Sequence, residues 1–476
     1  MSTSPQVQGS LPQGAVPPPG CPAHTASGLA PLYGPGFAAD PGATYARLRA
    51  QGPIARVELS PGVSASLVIG YDTALEVLRS PERFSKDPRR WRGLADGTIP
   101  ADNPVVPMLS YRPNALFSDG AEHARLRGAI TDCMSRVDPN ALRGYVEHSA
   151  DALIDEFGPD GEADLRGQYG AVLPLLVFCQ VCGCPPDIAE KLVTGMSGIF
   201  AADENSERAD RLLNEGIAEL VAYKRDKPGA DMASWLRTHP AGLTDAELRH
   251  QLTLLMGAGT EPQQNLICNA LRLLLSDDRF AGDLAGGSLP VEDALDEVLW
   301  SDAPMANFAA HFPVHDVELD GTLLREGEPV LISFAAANTD PGPAAERRRG
   351  GNRAHLAWSA GPHACPAKNS ARLIAAVAVE KLLDRLPDVE LAVGVEQLEW
   401  RQGPFHRALA ALPVRFPPVA VPASAAEPSG ASPWNPRTSP SSSTPPAATS
   451  TARRPGSASG DRRRWSSFLA RWWRGR

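Results

Sequence analysis

His355-Leu356-Ala357-Trp358-Ser359-Ala360-Gly361-Pro362-His363-Ala364-Cys365-Pro366-Ala367 is the stretch on which the reading of this 476-residue chain turns. One cysteine closes a Gly/Pro-rich turn, and a helical run to about Leu386 follows it. Pro366 suits a first helical turn, where its missing N–H costs nothing. Behind it Leu373 and Val377, and Ile374, Ala378 and Leu382, recur at helical spacing. A helix N-terminus offers unpaired N–H groups and partial positive charge, which favour thiolate over thiol. Gly361 lets the backbone pass close to a flat object, and Trp358 supplies an aromatic wall. A thiolate beside a closely approached planar group is what axial ligation of haem iron requires, and cysteine thiolate is the ligand in one class of haem enzyme. The competing reading is a small buried hydrophobe, the usual state of a lone reduced cysteine.

The spacing Trp358-x-x-Gly361-x-His363-x-Cys365, with Pro366-Ala367 and a helix behind it, resembles the haem-binding loop of the cytochrome P450 (haem-thiolate) family. That family usually carries Phe at the Trp358 position and Gly at those of Ser359 and Ala367. The resemblance covers roughly residues 29–416. It implies a mainly α fold with a small β region. It also implies haem b, with Cys365 as the iron ligand and Trp358, Gly361 and His363 beside the cofactor.

Other landmarks fall in the family's order. Leu116 to Arg127 opens a helix on which His123 and Arg127, four apart, share a face. A His/Arg pair can donate charge-assisted hydrogen bonds to haem propionates, the contact made at these positions in the family. The plain alternative is a solvated charged face. His311 stands where members commonly place a propionate-binding arginine, and it can still donate one hydrogen bond; a surface histidine is the alternative.

Thr244 to Leu275 is the longest helical pattern, and Thr244 with Glu247 forms a capping box. Its middle reads Met256-Gly257-Ala258-Gly259-Thr260-Glu261-Pro262-Gln263. Pro262 has no N–H, so the Ala258 carbonyl is freed and a kink is expected, with room for oxygen or water. In the family this helix crosses above the haem and carries an acid–threonine pair that manages protons. Glu261 matches the acid, but Pro262 stands where the threonine is expected. Gln263, Thr260 or a substrate hydroxyl is left to substitute. Glu297 belongs to the family's Glu-x-x-Arg motif, yet Trp300 replaces the arginine, as in a small subgroup of actinomycete members. Glu297 then needs another partner among Arg347, Arg348, Arg349 and Arg353.

The β region is expected as short strands: 55–59 with 65–70, then 314–319, 322–324, 329–335, 389–391 and 412–416. Residues 86–113 read as a long irregular loop, an element that often binds ligands.

Hydrophobic residues make up 43 % of the chain, enough for a sizeable core. The net charge of −9 hides an asymmetry, because residues 417–476 hold nine arginines against Glu427 and Asp461. The acidic body argues against nucleic-acid binding. Seven scattered cysteines and no signal-like N-terminus read as a reduced, cytoplasmic protein. Cys179-x-x-Cys182-x-Cys184 follows an apolar helix and reads as core rather than as a zinc site. Residues 1–28 read as disordered and 417–460 as a Pro/Ser/Ala-rich linker. In 461–476, Trp465, Phe468, Leu469, Trp472 and Trp473 form one stripe among arginines. That is the pattern of a basic amphipathic helix for an anionic membrane surface, here the inner face of the cell membrane, or for a partner's groove.

The activity implied by the resemblance is monooxygenation of a small apolar substrate by dioxygen. Electrons would come from a separate ferredoxin and ferredoxin reductase, since no flavin or iron–sulfur motif is present. Arg347 to Arg349 and Arg353 could attract such an acidic partner. The missing threonine and arginine leave two alternatives: a haem sensor in a membrane-associated complex with little turnover, or a peroxide-driven oxidase.

Overall fold

The computed structural model describes residues 28–201, 206–277, 289–342 and 352–420, together with Phe468 and Trp472. The expected disordered segment before Gly28, the linker beyond Ala420 and Arg347 to Arg349 lie outside the described residues.

Helices form where the apolar spacing places them. They are α1 (Pro41–Arg49), α2 (Tyr71–Arg79), α3 (Gly120–Met134), α4 (Pro139–Phe157), α5 (Leu173–Val181), α6 (Pro186–Ala201), α7 (Ser206–Asp226), α8 (Asp245–Ser276), α9 (Leu289–Ser301) and α10 (Lys368–Arg385). The capping box forms, with the Glu247 N–H on Thr244 Oγ1 at 3.2 Å and the Thr244 N–H on Glu247 Oε2 at 2.8 Å. From there α8 runs 32 residues with Pro262 inside it. Its faces pack on α5, α9 and α10, so it forms the axis of the helical core. Cys179, Cys182 and Cys184 are buried in that core, and burial pushes the thiols of Cys182 and Cys184 well above their ordinary range. No described helix is long and apolar enough to cross a membrane.

The strands are β1 (Ala30–Pro31), β2 (Ile54–Ser60), β3 (Val63–Val68), β4 (Phe84–Ser85), β5 (Glu162–Asp164), β6 (Asn307–Pro313), β7 (Val317–Leu319), β8 (Thr322–Leu324), β9 (Val330–Ser333), β10 (Glu390–Leu391) and β11 (Pro413–Arg415). The large sheet has the order β1-β2-β3-β9-β6-β4, β10-β11-β5 form a second sheet, and β7-β8 a hairpin. Sequence patterning misses β1 and β5, which are only two and three residues long, and also β4 and β6. The latter two are largely buried on each face, so neither shows the alternation that marks a half-exposed strand. Residues 86–113 are not wholly irregular, since short turns of helix form at Arg92–Ala95 and Val106–Leu109.

Trp300 replaces the missing arginine by a different kind of contact. The indole is 3 % exposed; its Nε1–H donates to the Asn352 carbonyl at 3.1 Å and its ring meets His355 edge-to-face. Asn338 adds a second tie, donating to the Leu299 carbonyl at 3.0 Å and accepting the Leu356 N–H at 2.7 Å. Arg353 pairs with Asp296 and Glu292, as does Arg372. The end of α9 is thereby bound to the segment entering the cysteine loop. Trp300→Phe is expected to cost about 1 kcal/mol, one hydrogen bond, in urea unfolding. His355 adds a pH dependence. Burial holds its folded pKa down to about 4, whereas an unfolded histidine titrates near 6.5. The stability it contributes is present above the unfolded value and is lost as pH falls through 4, by about 3 kcal/mol. Urea midpoints across that window should fall less steeply in His355→Phe.

At the far end of the chain, Phe468 and Trp472 are buried against the body. His148 of α4 donates from Nε2 to the Trp472 carbonyl at 3.2 Å and stacks on its ring at 5.9 Å.

Candidate active site

Cys365 lies between two short turns and α10. Its N–H donates to the Trp358 carbonyl at 2.8 Å, which closes the loop. Helix α10 begins at Lys368, not at Pro366, so Pro366 and Ala367 form the turn that carries the sulfur. The Ala367 N–H is directed at Sγ, and Arg127 and Lys368 add positive charge. Burial nevertheless outweighs them and raises the thiol above its ordinary value. The charge of a metal ion bound at sulfur would offset that burial and favour the thiolate.

Gly361 is required for a reason other than the expected one. Its φ is +66°, and a Cβ there would lie 2.1 Å from the Leu78 carbonyl of α2. The close approach is to protein backbone. Ser359 has φ 62° and ψ −172°, a conformation essentially reserved for glycine. Ser359→Gly is expected to stabilise the fold by about 1 kcal/mol, read as a raised thermal midpoint.

In the middle of α8, Gly257, Ala258 and Gly259 leave the helix open on one side. Ala258 and Gly259 are exposed in the middle of a buried helix, and a Cβ on either glycine would meet nothing within 4 Å. Gln263 Nε2 donates to the Ala371 carbonyl of α10 at 2.9 Å, which joins this helix to the one that follows Cys365. Thr260 spends its hydroxyl proton on the Met256 carbonyl at 2.7 Å. Glu261 is 4 % exposed and forms an ion pair with Arg401 through Oε1, while Oε2 has no hydrogen-bond partner. Of the three residues expected to handle protons, Glu261 has a buried side-chain oxygen with no partner.

The rim opposite is basic. His123 and His363 stack at 4.0 Å, and His123 Nε2 is buried without a partner. His311 is 3 % exposed, and its Nδ1 is equally orphaned. Burial lowers the pKa of His123, His311 and His363. Arg127 is engaged differently from expectation, donating Nη2 to the Ala364 carbonyl and so clamping the cysteine loop. Lys86 joins this group and was invisible in the sequence. It sits just past β4, a strand too short and too buried to be read from its pattern. Orphaned imidazole nitrogens beside Lys86 and Arg127, with Arg127 close to the Cys365 thiol, fit a planar metal-bearing group that carries carboxylates.

Fold and cysteine loop together define the haem-thiolate class of oxidoreductase. No protein-family model matches the chain. It is 36 % identical over 395 residues to the cytochrome P450 monooxygenase PikC of Streptomyces venezuelae, covering 80 % of this chain and 92 % of that one. Identity to the 2-hydroxy-5-methyl-1-naphthoate 7-hydroxylase of Streptomyces carzinostaticus is 31 %, over 79 % of this chain and 95 % of the relative. Among solved structures, CYP154A1 from Streptomyces coelicolor A3(2) superposes with a TM-score of 0.70 at 27 % identity, covering 81 % of this chain and 100 % of that one. The chain belongs to the cytochrome P450 family. Its relatives are monooxygenases, it is an enzyme of that type, and membership implies a haem cofactor.

Proposed function

We propose that this chain binds haem b between the Gly257–Gly259 face of α8 and the Cys365 loop, and hydroxylates a small apolar substrate in the cytoplasm. Electrons come one at a time from a separate ferredoxin and its reductase. The observation that carries the reading is the uncovered Ala258–Gly259 face of an otherwise buried helix, which Gln263 ties to the helix that follows Cys365.

Haem, when bound, supplies dioxygen binding and O–O cleavage, which a thiolate ligand favours. The protein supplies the rest. Cys365 ligates through Sγ, and the Ala367 N–H tempers the sulfur's charge. His123 would donate to a carboxylate of the haem from Nε2, its orphaned atom, while His311, held neutral by burial, stands beside it. Arg127 fixes the loop by its bond to the Ala364 carbonyl. Glu261 offers Oε2, the oxygen that Arg401 leaves without a partner, to proton transfer. Thr260 and Gln263 shape the helix through bonds already committed, and Pro262 leaves the Ala258 carbonyl free to orient water.

A spectral screen tests this, in which apolar ligands displace water from ferric haem and hits are then turned over with ferredoxin, reductase and oxygen. Product with peroxide alone would favour the peroxide-driven reading, which the absent hydroxyl at Pro262 supports. Haem binding without product under either condition would favour a sensor. Membrane or partner contact through residues 461–476 requires Phe468 and Trp472 to leave the body. Vesicle flotation with and without those residues decides it.

A further inference from the structure

A question of charge is open at His311. It stands at an arginine position of the family, yet burial keeps it neutral and its Nδ1 has no partner. The sheet answers with a different residue. Across β4 and β6, Phe84 faces Pro313 and Ser85 faces Phe312. One further step of that register sets Lys86 opposite His311. The β6–β9 ladder slips between Phe308 and His311, and Ala309 has φ +46°, so a bulge turns the Ala310 carbonyl aside. Lys86 Nζ takes that carbonyl at 2.7 Å. The Lys86 N–H is anchored on the Asp119 carboxylate at 3.0 Å, beside the Ser85 hydroxyl, which donates to the same group.

Lys86 is 3 % exposed. Its ammonium has three donors, and among the described residues it makes one hydrogen bond and no ion pair. Burial pulls the pKa of the Lys86 ammonium down to about 7, only partly offset by the charge of Asp119, so an anion set against Nζ would restore its positive charge. His123 and His363 lie on the same wall with no second carboxylate among them. Asp119 is already committed to Ser85 and to the Lys86 backbone.

We propose that Lys86 is the cationic anchor for a haem propionate in this chain, taking the part left vacant by the arginine that His311 replaces. The inference rests on the haem reading above.

Holoprotein carrying Lys86→Met or Lys86→Arg tests it, by haem transfer to excess apomyoglobin and by the propionate bending mode in resonance Raman spectra. Loss of one charge-assisted bond predicts release about ten- to a hundredfold faster in Lys86→Met, with the reduced carbon monoxide band still at its thiolate position. Lys86→Arg keeps the charge and should release haem within about threefold of wild type, with a shifted bending mode. Adding His311→Arg to Lys86→Met should slow release again. Reconstitution with haem dimethyl ester, which has no carboxylate, should abolish the difference between wild type and Lys86→Met. Wild-type release from Lys86→Met, or a difference that persists with the ester, overturns the proposal. If Lys86→Met does not fold, the bending mode in Lys86→Arg decides: a shift supports the anchor, and an unmoved mode overturns it. A wild-type chain without a thiolate band would sink the haem reading itself, a result distinct from a normal band with an inert Lys86.

Discussion

Cys365→Ser is expected to abolish the long-wavelength band of the reduced carbon monoxide complex, and monooxygenase turnover with it, while the unfolding midpoint moves little. The change exchanges one atom at a half-exposed position whose main-chain bond, Cys365 N–H to the Trp358 carbonyl, is independent of the side chain. Serine keeps the loop but presents a hydroxyl that stays protonated and donates little electron density to iron. The thiolate ligand is what favours O–O cleavage in this class. A difference spectrum of reduced, carbon monoxide-treated holoprotein reads the outcome directly. A band unaltered by the substitution would show that sulfur at this position is not the ligand.

Arg401→Ala should lower stability by about 3–5 kcal/mol, because it leaves Glu261 buried without its counter-ion. The Glu261 side chain is only 6 % exposed, so water cannot replace the guanidinium. The double variant Arg401→Ala with Glu261→Gln should recover part of the loss, since the orphaned charge is removed along with its partner. Function should separate the two. If Glu261 passes protons through Oε2, Glu261→Gln diverts electrons into peroxide rather than product, whereas Arg401→Ala alone keeps the carboxyl group and loses mainly stability. Urea unfolding and the ratio of product to electrons consumed are the two measurements. An Arg401→Ala protein with a wild-type midpoint would mean that the ion pair contributes nothing.

Much of this site is legible in the sequence because it is local. The cysteine loop sits within thirteen consecutive residues, the capping box spans four, and His123 and Arg127 are one helical turn apart. Such features depend on backbone geometry that a short peptide already encodes. Where a reading needed a neighbour distant in sequence, it went astray. Gly361 is reserved for the Leu78 carbonyl, 283 residues earlier in the chain, rather than for a flat ligand. Arg127 reaches the Ala364 carbonyl, and Arg353 serves Asp296 and Glu292. The stripe in the tail was legible as a stripe, but not the surface it covers, which for Phe468 and Trp472 is the protein's own body.

From the order of residues alone came the helical class, the sulfur, the long helix with its misplaced proline and the tryptophan in place of arginine. Each is a matter of spacing or of a single side chain's chemistry. Only the tertiary structure decided what stands beside them: the carboxylate of Glu261 against Arg401, the indole of Trp300 on the Asn352 carbonyl, and Lys86 across the sheet from His311. Those pairings depend on strand register and helix packing, which join segments 140, 52 and 225 residues apart, and no local pattern records them.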